Sequence, residues 1–254
     1  MPQIEAIPAF RDNYIWVARN KQYAMAVDPG DAAPLLDYLG KNGLELIAIL
    51  NTHHHADHVG GNLELQKKFS CAVYGPRGEI IPGLTHPVSG GDRVSLPELD
   101  MAFEVLAIPG HTSGHIAYYG EGLLFCGDTL FGCGCGRVFE GTMAQMHHSL
   151  KKLADLPEET RVYCAHEYTL ANIQFAAEVE PGNAILLERR GKAIELRKKG
   201  LPTLPSTIAL EKMTNPFLRC GTGEIVQSAT RHSGSPTQDE LQVFSVLRTW
   251  KNTF

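Results

Sequence analysis

A continuous apolar run at residues 46–50 leads directly into the segment Thr-His-His-His-Ala-Asp-His at residues 52–58. Five apolar residues without a break are typical of a strand that is buried on both faces. The end of such a strand passes its next residues to a loop at the carboxyl edge of the sheet, where side chains can converge on one point. The run therefore predicts a buried strand that brings a segment with four histidines and an aspartate to the edge of the sheet.

Short apolar runs of the same kind alternate with turns and helical stretches over the first two thirds of the chain, a pattern that combines helices with many sequential strands. The predicted strands are 14–17, 23–27, 72–74, 101–108, 115–119, 123–126 and 161–164, and the predicted helices are 34–42, 62–69 and 143–156. Beyond His166 the composition becomes helical, at 168–179, 184–199 and 238–251. We therefore predict a catalytic domain at 1–168 and a helical substrate-binding region at 169–254.

Length and charge restrict the class of protein. The chain has 254 residues, enough for one large domain with a smaller appendage, and a net charge of −5 with no long basic run. Nucleic acid is therefore not an expected partner, because phosphate binding relies on clustered Lys and Arg. We find neither a signal peptide nor an apolar stretch long enough to span a bilayer, so no membrane partner is expected. The six cysteines are sparse, which indicates reduced thiols and a cytoplasmic protein.

The histidine segment has the composition of a metal site. His53 and His55 are two positions apart, so on extended backbone they point the same way, whereas His54 points the opposite way and is left out. Asp57 and His58 follow where the chain turns into a helix, and they can face a second point nearby. Imidazole nitrogen and carboxylate oxygen are ligands for zinc, iron or manganese. The alternative is a polar loop that binds no metal, which so dense a cluster disfavours.

Three further strand ends carry residues of the same type. His111 follows the run that ends at residue 108, Asp128 follows 123–125, and His166 follows 161–163. A single histidine after a strand is usually a core or loop residue. Four strand ends that all deliver ligand-type side chains together indicate one metal centre.

With these segments, the sequence resembles the metallo-β-lactamase superfamily and, within it, the glyoxalase II (hydroxyacylglutathione hydrolase) family over essentially its whole length. The first histidine motif is shared by many members of the superfamily, whereas the glycine-rich loop, the segment after His166 and the basic tail are more specific. The matching segments are 28–30, 52–58, 110–112, 127–129, 134–137, 139–142, 166–169, 215–217 and 247–251.

The resemblance implies an α+β fold, a four-layer αβ/βα sandwich with a C-terminal helical region. It also implies two divalent metal ions, for which Zn²⁺ is the first expectation and iron or manganese are acceptable. By the same resemblance one metal is held by His53, His55 and His111, the other by Asp57, His58 and His166, and Asp128 bridges the two.

The implied reaction is hydrolysis of a glutathione thioester, chiefly S-lactoylglutathione, to glutathione and D-lactate in methylglyoxal detoxification. A hydroxide shared by the two metals would attack the thioester carbonyl, with Asp57 and Asp128 as the catalytic carboxylates. The sequence contains no Gly-x-Ser-x-Gly motif that would supply a serine nucleophile. A thiolate with a conjugate acid of pKa about 8.5 can leave without a strong general acid.

The resemblance also implies which residues bind glutathione: Arg137, Tyr168, Arg248 and Lys251. For Arg248 and Lys251, which are three positions apart, the alternative is an ordinary solvated helix face. Phe139 replaces a tyrosine of some relatives and cannot donate a hydrogen bond. Asn172 matches an asparagine near the site in relatives, and a plain helix-surface role is equally compatible with its position.

Two other functions remain open from the sequence. One keeps the metals and changes the substrate to a lactone, a β-lactam or a phosphodiester, although a β-lactamase usually has Arg where this chain has His58. The other is a non-catalytic module with a closed metal site and no exchangeable water. We expect a monomer, because no spare apolar helix face is evident.

Overall fold

The structure is a computed structural model, and it describes residues 3–254. It forms two compact units. The first comprises residues up to 107 together with 113–127, and the second comprises 108–112 together with 128–254. The predicted division at residue 168 separates a catalytic from a substrate-binding part, and it stays a prediction about function.

Two sheets form the first unit. The mixed sheet has the strand order β1 (Gln3–Ala9), β2 (Asn13–Arg19), β3 (Tyr23–Val27), β4 (Glu45–Leu50), β5 (Ala72–Pro76) and β6 (His86–Val88). β7 (Arg93–Leu96), β8 (Met101–Ala107), β9 (Ile116–Gly120) and β10 (Leu123–Gly127) form an antiparallel series. The helices are α1 (Ala32–Asn42), α2 (Ala56–Val59) and α3 (Asn62–Phe69).

Helix α1 illustrates why these elements form. Its N-cap Asp31 accepts a hydrogen bond from the backbone N–H of Ala33 at 3.0 Å, and Gly43 ends the helix in the left-handed conformation. Leu35 and Leu39, four positions apart, are buried in the same apolar cluster as the mixed sheet. Burying a leucine side chain contributes about 1.5–3 kcal/mol, so this face fixes the helix against the sheet.

The predicted buried strand is confirmed as β4. It runs parallel to both β3 and β5, and its last three residues are completely buried. Its carboxyl end at Leu50 therefore lies inside the unit, and the histidine segment begins two residues later. Strands β1, β6 and β7 were not predicted, because they are short or alternate polar and apolar residues.

The second unit is mainly helical. It contains α4 (Met143–Ala154), α5 (Thr169–Val179), α6 (Ala184–Lys198), α7 (Ile208–Thr214), α8 (Gly223–Ser233) and α9 (Glu240–Lys251), and two strand pairs, β11 (Leu130–Phe131) with β12 (Gly134–Cys135) and β13 (Arg161–Cys164) with β14 (Ser206–Thr207). Helices α7 and α8 were not predicted, since glycines and prolines interrupt that part of the sequence. Among the described residues, no helix has both the length and the apolar character needed to cross a bilayer.

The strand pair β11–β12 forms a buried hairpin, the glycine-rich hairpin (residues 130–136), whose backbone is held by side chains of the helices. Asn172 of α5 donates to the carbonyl of Gly132 at 3.0 Å. Asn215 donates to two more of the hairpin's carbonyls, at 2.9 and 3.1 Å, and Arg248 of α9 donates to a fourth at 2.7 Å. The hairpin's conformation therefore depends on residues that lie far from it in sequence.

A buried ion pair supports the same hairpin. Glu211 accepts a hydrogen bond from the backbone N–H of Cys133 at 2.8 Å, and it pairs with Arg189 at 2.6 Å between Nη2 and Oε1. Both side chains are almost completely buried. A buried carboxylate that also receives a backbone N–H satisfies more of its hydrogen-bonding capacity than the ion pair alone would.

Candidate functional site

The first group of predicted ligands lies in the first unit, directly after β4. His53 is completely buried, and its Nε2 lies 3.1 Å from Nδ1 of His55. The side chain of His54 takes another direction, with its Nδ1 at 2.9 Å from the carboxylate of Glu79. The expected alternation along the extended segment is thus observed, and two imidazole nitrogens converge.

Asp28 orients Thr52 and His58, at the two ends of the histidine segment. Its carboxylate accepts hydrogen bonds from the N–H and the hydroxyl of Thr52, at 2.8 and 2.7 Å, and contacts Nδ1 of His58 at 3.1 Å. The opposite nitrogen of His58, Nε2, lies 3.4 Å from Oδ2 of Asp57. A carboxylate behind a histidine fixes both the ring and its tautomer, which is how second-layer partners support metal ligands.

The ring of His53 is packed as well as hydrogen-bonded. His115 is buried and stacks on it, with 4.6 Å between the ring centroids and 19° between the planes. Gly127 has φ +48, and a Cβ there would lie 2.2 Å from Oγ1 of Thr52. Glycine is therefore required at the last position of β10, directly before Asp128 and Thr129.

The second group of predicted ligands lies in the second unit. Nε2 of His111 is 3.5 Å from Oδ2 of Asp128, and Nε2 of His166 is 3.3 Å from Oδ1 of the same carboxylate. His111 Nδ1 contacts the carbonyl oxygen of Arg137 at 2.8 Å, so a proton on Nδ1 leaves Nε2 as the ring atom that faces Asp128. Each oxygen of Asp128 thus faces a different histidine.

This donor chemistry fits divalent cations. All seven predicted ligands offer imidazole nitrogen or carboxylate oxygen, the donors that zinc, iron and manganese accept. A carboxylate whose two oxygens face different histidines has the form required to bind two cations at once. His53 and His55 also belong to groups of side chains whose ligand atoms lie close enough together to hold a metal ion.

A cavity of about 390 Å³ opens in the second unit beside the second group of ligands. Its wall combines cationic, aromatic and small residues. The lining residues are His111, Asp128, Phe131, Cys135, Gly136, Arg137, Phe139, Tyr168, Ala171, Asn172, Arg248 and Lys251.

All four residues predicted to bind substrate line this cavity, but they differ in their surroundings. Arg137 is exposed, whereas Arg248 is 2% exposed and already donates to the carbonyls of the glycine-rich hairpin. Burial, and then the nearby charge of Arg248, lower the pKa of Lys251 to about 8. Tyr168 stacks on His166 with 4.7 Å between the ring centroids. The alternative of a solvated helix face does not describe Arg248, whose side chain is inside the unit.

Asn172 and Phe139, whose roles the sequence left open, both line the cavity, whereas the contact of Glu79 was not predicted. Asn172 is 3% exposed rather than on the helix surface, and it holds the glycine-rich hairpin. Phe139 is 62% exposed at the cavity, with its ring 5.2 Å from that of His111. Glu79 contacts His54, and nothing in the sequence around it signals that role.

Two family models divide the chain between them. The model described as metallo-β-lactamase superfamily matches residues 9–166, and the model described as hydroxyacylglutathione hydrolase C-terminus matches residues 167–254. The hydroxyacylglutathione hydrolase of Nitrosomonas eutropha is 55% identical over the full length of both chains.

Solved structures agree at the level of the fold. The chain resembles ETHE1 from Myxococcus xanthus with a TM-score of 0.66 and 23% identity, covering 100% of this chain and 99% of the other. It resembles the protein TTHA1623, solved in a di-iron-bound form, with a TM-score of 0.57 and 26% identity, covering 85% and 100% respectively. The predicted α+β class and metallo-β-lactamase fold are confirmed. The chain therefore belongs to the hydroxyacylglutathione hydrolase family of the metallo-β-lactamase superfamily.

Proposed function

We propose that this protein hydrolyses the thioester of S-(2-hydroxyacyl)glutathione, chiefly S-lactoylglutathione, to glutathione and a 2-hydroxy acid, D-lactate, in methylglyoxal detoxification. Family membership gives the reaction class. One observation supports the identity of the substrate. Arg137, Arg248 and Lys251 line the same cavity of the second unit as His111 and Asp128. Glutathione is anionic through its carboxylates, and a cationic cavity beside a hydrolytic centre suits it.

The cationic residues have separate tasks in this proposal. Arg137 is exposed and has its guanidinium available for a carboxylate, which it can bind through two parallel hydrogen bonds. Lys251 is half-buried in the cavity wall and supplies a point charge. Arg248 contributes charge, while its Nη1 holds the carbonyl of Cys135 and thereby shapes the wall. Tyr168, stacked on His166, borders the same cavity.

We propose further that two divalent cations are bound by His53, His55 and His111, by Asp57, His58 and His166, and by Asp128, which serves both. Zn²⁺ is the first expectation, with iron or manganese as alternatives. When bound, the cations supply Lewis acidity toward the thioester carbonyl and lower the pKa of water beside them. Asp28 and the carbonyl of Arg137 keep the rings of His58 and His111 in one orientation.

The chain needs no strong acid for the leaving group. The glutathione thiolate has a conjugate acid of pKa about 8.5 and departs as the anion at neutral pH. Arg137 and Lys251 hold the carboxylates of the departing molecule, so the thioester bond breaks while the substrate stays oriented.

Hydrolysis of S-lactoylglutathione by the purified protein, with and without a chelator, tests the proposal. We expect thiol release that the chelator abolishes and added Zn²⁺ restores. Inactivity of the fully metallated protein would contradict it. A β-lactam and a phosphodiester serve as comparison substrates for the other metal-dependent hydrolases. Turnover of either one in preference to the thioester would favour the alternative reaction.

A cytoplasmic location, a monomeric state and the absence of nucleic-acid and membrane partners belong to the same proposal. Support for a reducing compartment comes from the six cysteines, all of which are buried and outside any disulfide. Size-exclusion chromatography with light scattering measures the oligomeric state directly, and a mass near 27.8 kDa is expected.

A further inference from the structure

Glu79 is a buried carboxylate in the first unit that the proposed chemistry does not use. It lies in the turn after β5 and is 9% exposed. Its Oε2 is 2.9 Å from Nδ1 of His54, and its Oε1 accepts the backbone N–H of Gly114 at 3.0 Å. A carboxylate only accepts hydrogen bonds, so Nδ1 of His54 carries the proton in this contact.

Both partners of Glu79 are neighbours of His53. His54 is the next residue in the chain and lies between His53 and His55. Gly114 directly precedes His115, whose ring stacks on that of His53 at 4.6 Å. One buried carboxylate therefore holds the covalent neighbour of His53 and the backbone beside its stacking partner.

The fit around Glu79 is tight. A Cβ built on Gly114 would lie 2.6 Å from Cγ of Glu79 and 2.9 Å from its Oε1. Atoms at these separations overlap, so residue 114 has no room for a side chain unless the carboxylate moves. The loop that contains Gly114 and the turn that contains Glu79 therefore fix each other's position.

We propose that Glu79 is a positioning residue for the metal ligands His53 and His55. On extended backbone, successive side chains point to opposite sides, so anchoring His54 on one side directs His53 and His55 to the other. Without the anchor, the backbone at 53–55 can rotate and the two ligand nitrogens lose their common direction. This inference rests on the proposed metal site.

The experiment measures metal affinity rather than turnover alone. Glu79→Ala is loaded with Zn²⁺ in competition with a chromophoric chelator, and the absorption spectrum of the Co²⁺-substituted protein reports the ligand geometry. We expect Glu79→Ala to bind the metal assigned to His53 and His55 about 10–100-fold less tightly, the range typical of residues that orient ligands. We also expect an altered Co²⁺ spectrum and a lower kcat with KM nearly unchanged, because the substrate cavity lies in the second unit.

Two further variants separate positioning from general stability. Glu79→Gln keeps one acceptor oxygen, so its loss of affinity should be smaller than that of Glu79→Ala. It also carries the test if Glu79→Ala fails to fold. Gly114→Ala retains the carboxylate but displaces it, and it should reproduce the change in the Co²⁺ spectrum.

The matched control is Glu180→Ala in the second unit. Glu180 is also buried, pairs with Arg219 and accepts a hydrogen bond from Asn183, and none of these residues is a predicted ligand. This variant should lower stability and leave metal affinity within about twofold, as expected when a change acts at an independent site. If wild-type protein binds two metals and Glu79→Ala binds them equally well with the same spectrum, the inference is wrong. If wild-type protein binds no metal, the proposed function itself fails.

Discussion

The protein around Lys251 destabilises the protonated form of its side chain. Burial, and next the charge of Arg248, hold its pKa at about 8, below the usual value of about 10.4 for lysine. The folded chain therefore releases this proton more readily than the unfolded chain. The resulting cost to stability is present below pH 8 and is relieved as the pH rises toward 10.

This charge predicts a pH dependence of substrate capture. As the pH rises through about 8, Lys251 loses its charge, and kcat/KM for S-lactoylglutathione should fall because kcat/KM reports the ionisation of the free enzyme. The Lys251→Arg variant cannot deprotonate in this range and should keep a flat profile up to about pH 9. Initial rates at low substrate concentration measure the effect. A wild-type profile that stays level would show that Lys251 does not bind the substrate in its charged form.

The bridging role proposed for Asp128 predicts that the metal content falls when one of its carboxylate oxygens is replaced. In Asp128→Asn, one oxygen becomes an NH₂ group that would face a histidine instead of a cation. We expect the metal content, measured by plasma mass spectrometry, to fall below two per chain and kcat to fall by at least about 100-fold. Asp155→Asn, at the exposed end of α4, is the control and should retain both metals. If Asp128→Asn keeps two metals per chain, Asp128 is not needed to bridge them.

At the scale of elements, the glycine-rich hairpin shows how the helices of the second unit act on the cavity. The hairpin contributes Cys135 and Gly136 to the cavity wall, and Arg137 follows directly. Its backbone is held by α5, α7, α9 and the residue after α7. The helices therefore shape the wall of the cavity through these hydrogen bonds, and α9 also places Arg248 and Lys251 in that wall.

The ion pair behind the hairpin predicts a large loss of stability on truncation. Glu211→Ala leaves the buried guanidinium of Arg189 without its carboxylate and removes the acceptor of the Cys133 N–H. We expect a loss of about 3–5 kcal/mol in the free energy of unfolding, measured by urea denaturation. Glu188→Ala removes an exposed i,i+4 pair with Lys192 on α6 and should leave the urea midpoint almost unchanged, because solvent screens such pairs. Equal losses in the two variants would contradict the buried network.

Local sequence predicted the elements that carry their own signal. β4 and β10 are continuous apolar runs, and their positions follow from burial on both faces. Strands β6 and β7 have three and four residues, too short for a periodic pattern. Glu79 could not be predicted, because its importance depends on contacts with residues 25 and 35 positions away. The burial of Arg248 could not be predicted either, because the carbonyls that it binds lie more than 110 positions earlier in the chain.

For the whole molecule, the cysteines form an unreactive set. All six are buried and none forms a disulfide, and burial raises the pKa of the Cys71 thiol to about 11 and that of the Cys133 thiol to about 12. Thiolate is the reactive form, so Cys71 and Cys133 carry almost none at neutral pH, and the burial of the other four limits access of reagents to them.

We therefore expect native protein to react with almost no Ellman's reagent within minutes, and protein in guanidinium chloride to release close to six equivalents. A reductant should leave the melting temperature unchanged, because no disulfide is present to reduce. Rapid reaction of one thiol in the native state would reveal an opening that the static structure does not contain.

The left-handed backbone at Asp28 restricts which residues can replace it. Its φ of +51 suits Asp, Asn and Gly far better than other residues, yet the carboxylate must also serve Thr52 and His58 at once. Glycine satisfies the backbone and offers no acceptor, whereas asparagine satisfies the backbone and offers one acceptor oxygen instead of two. In a saturation library selected for activity, codon 28 should therefore be as invariant as the codons for the ligands, although this residue is assigned no metal.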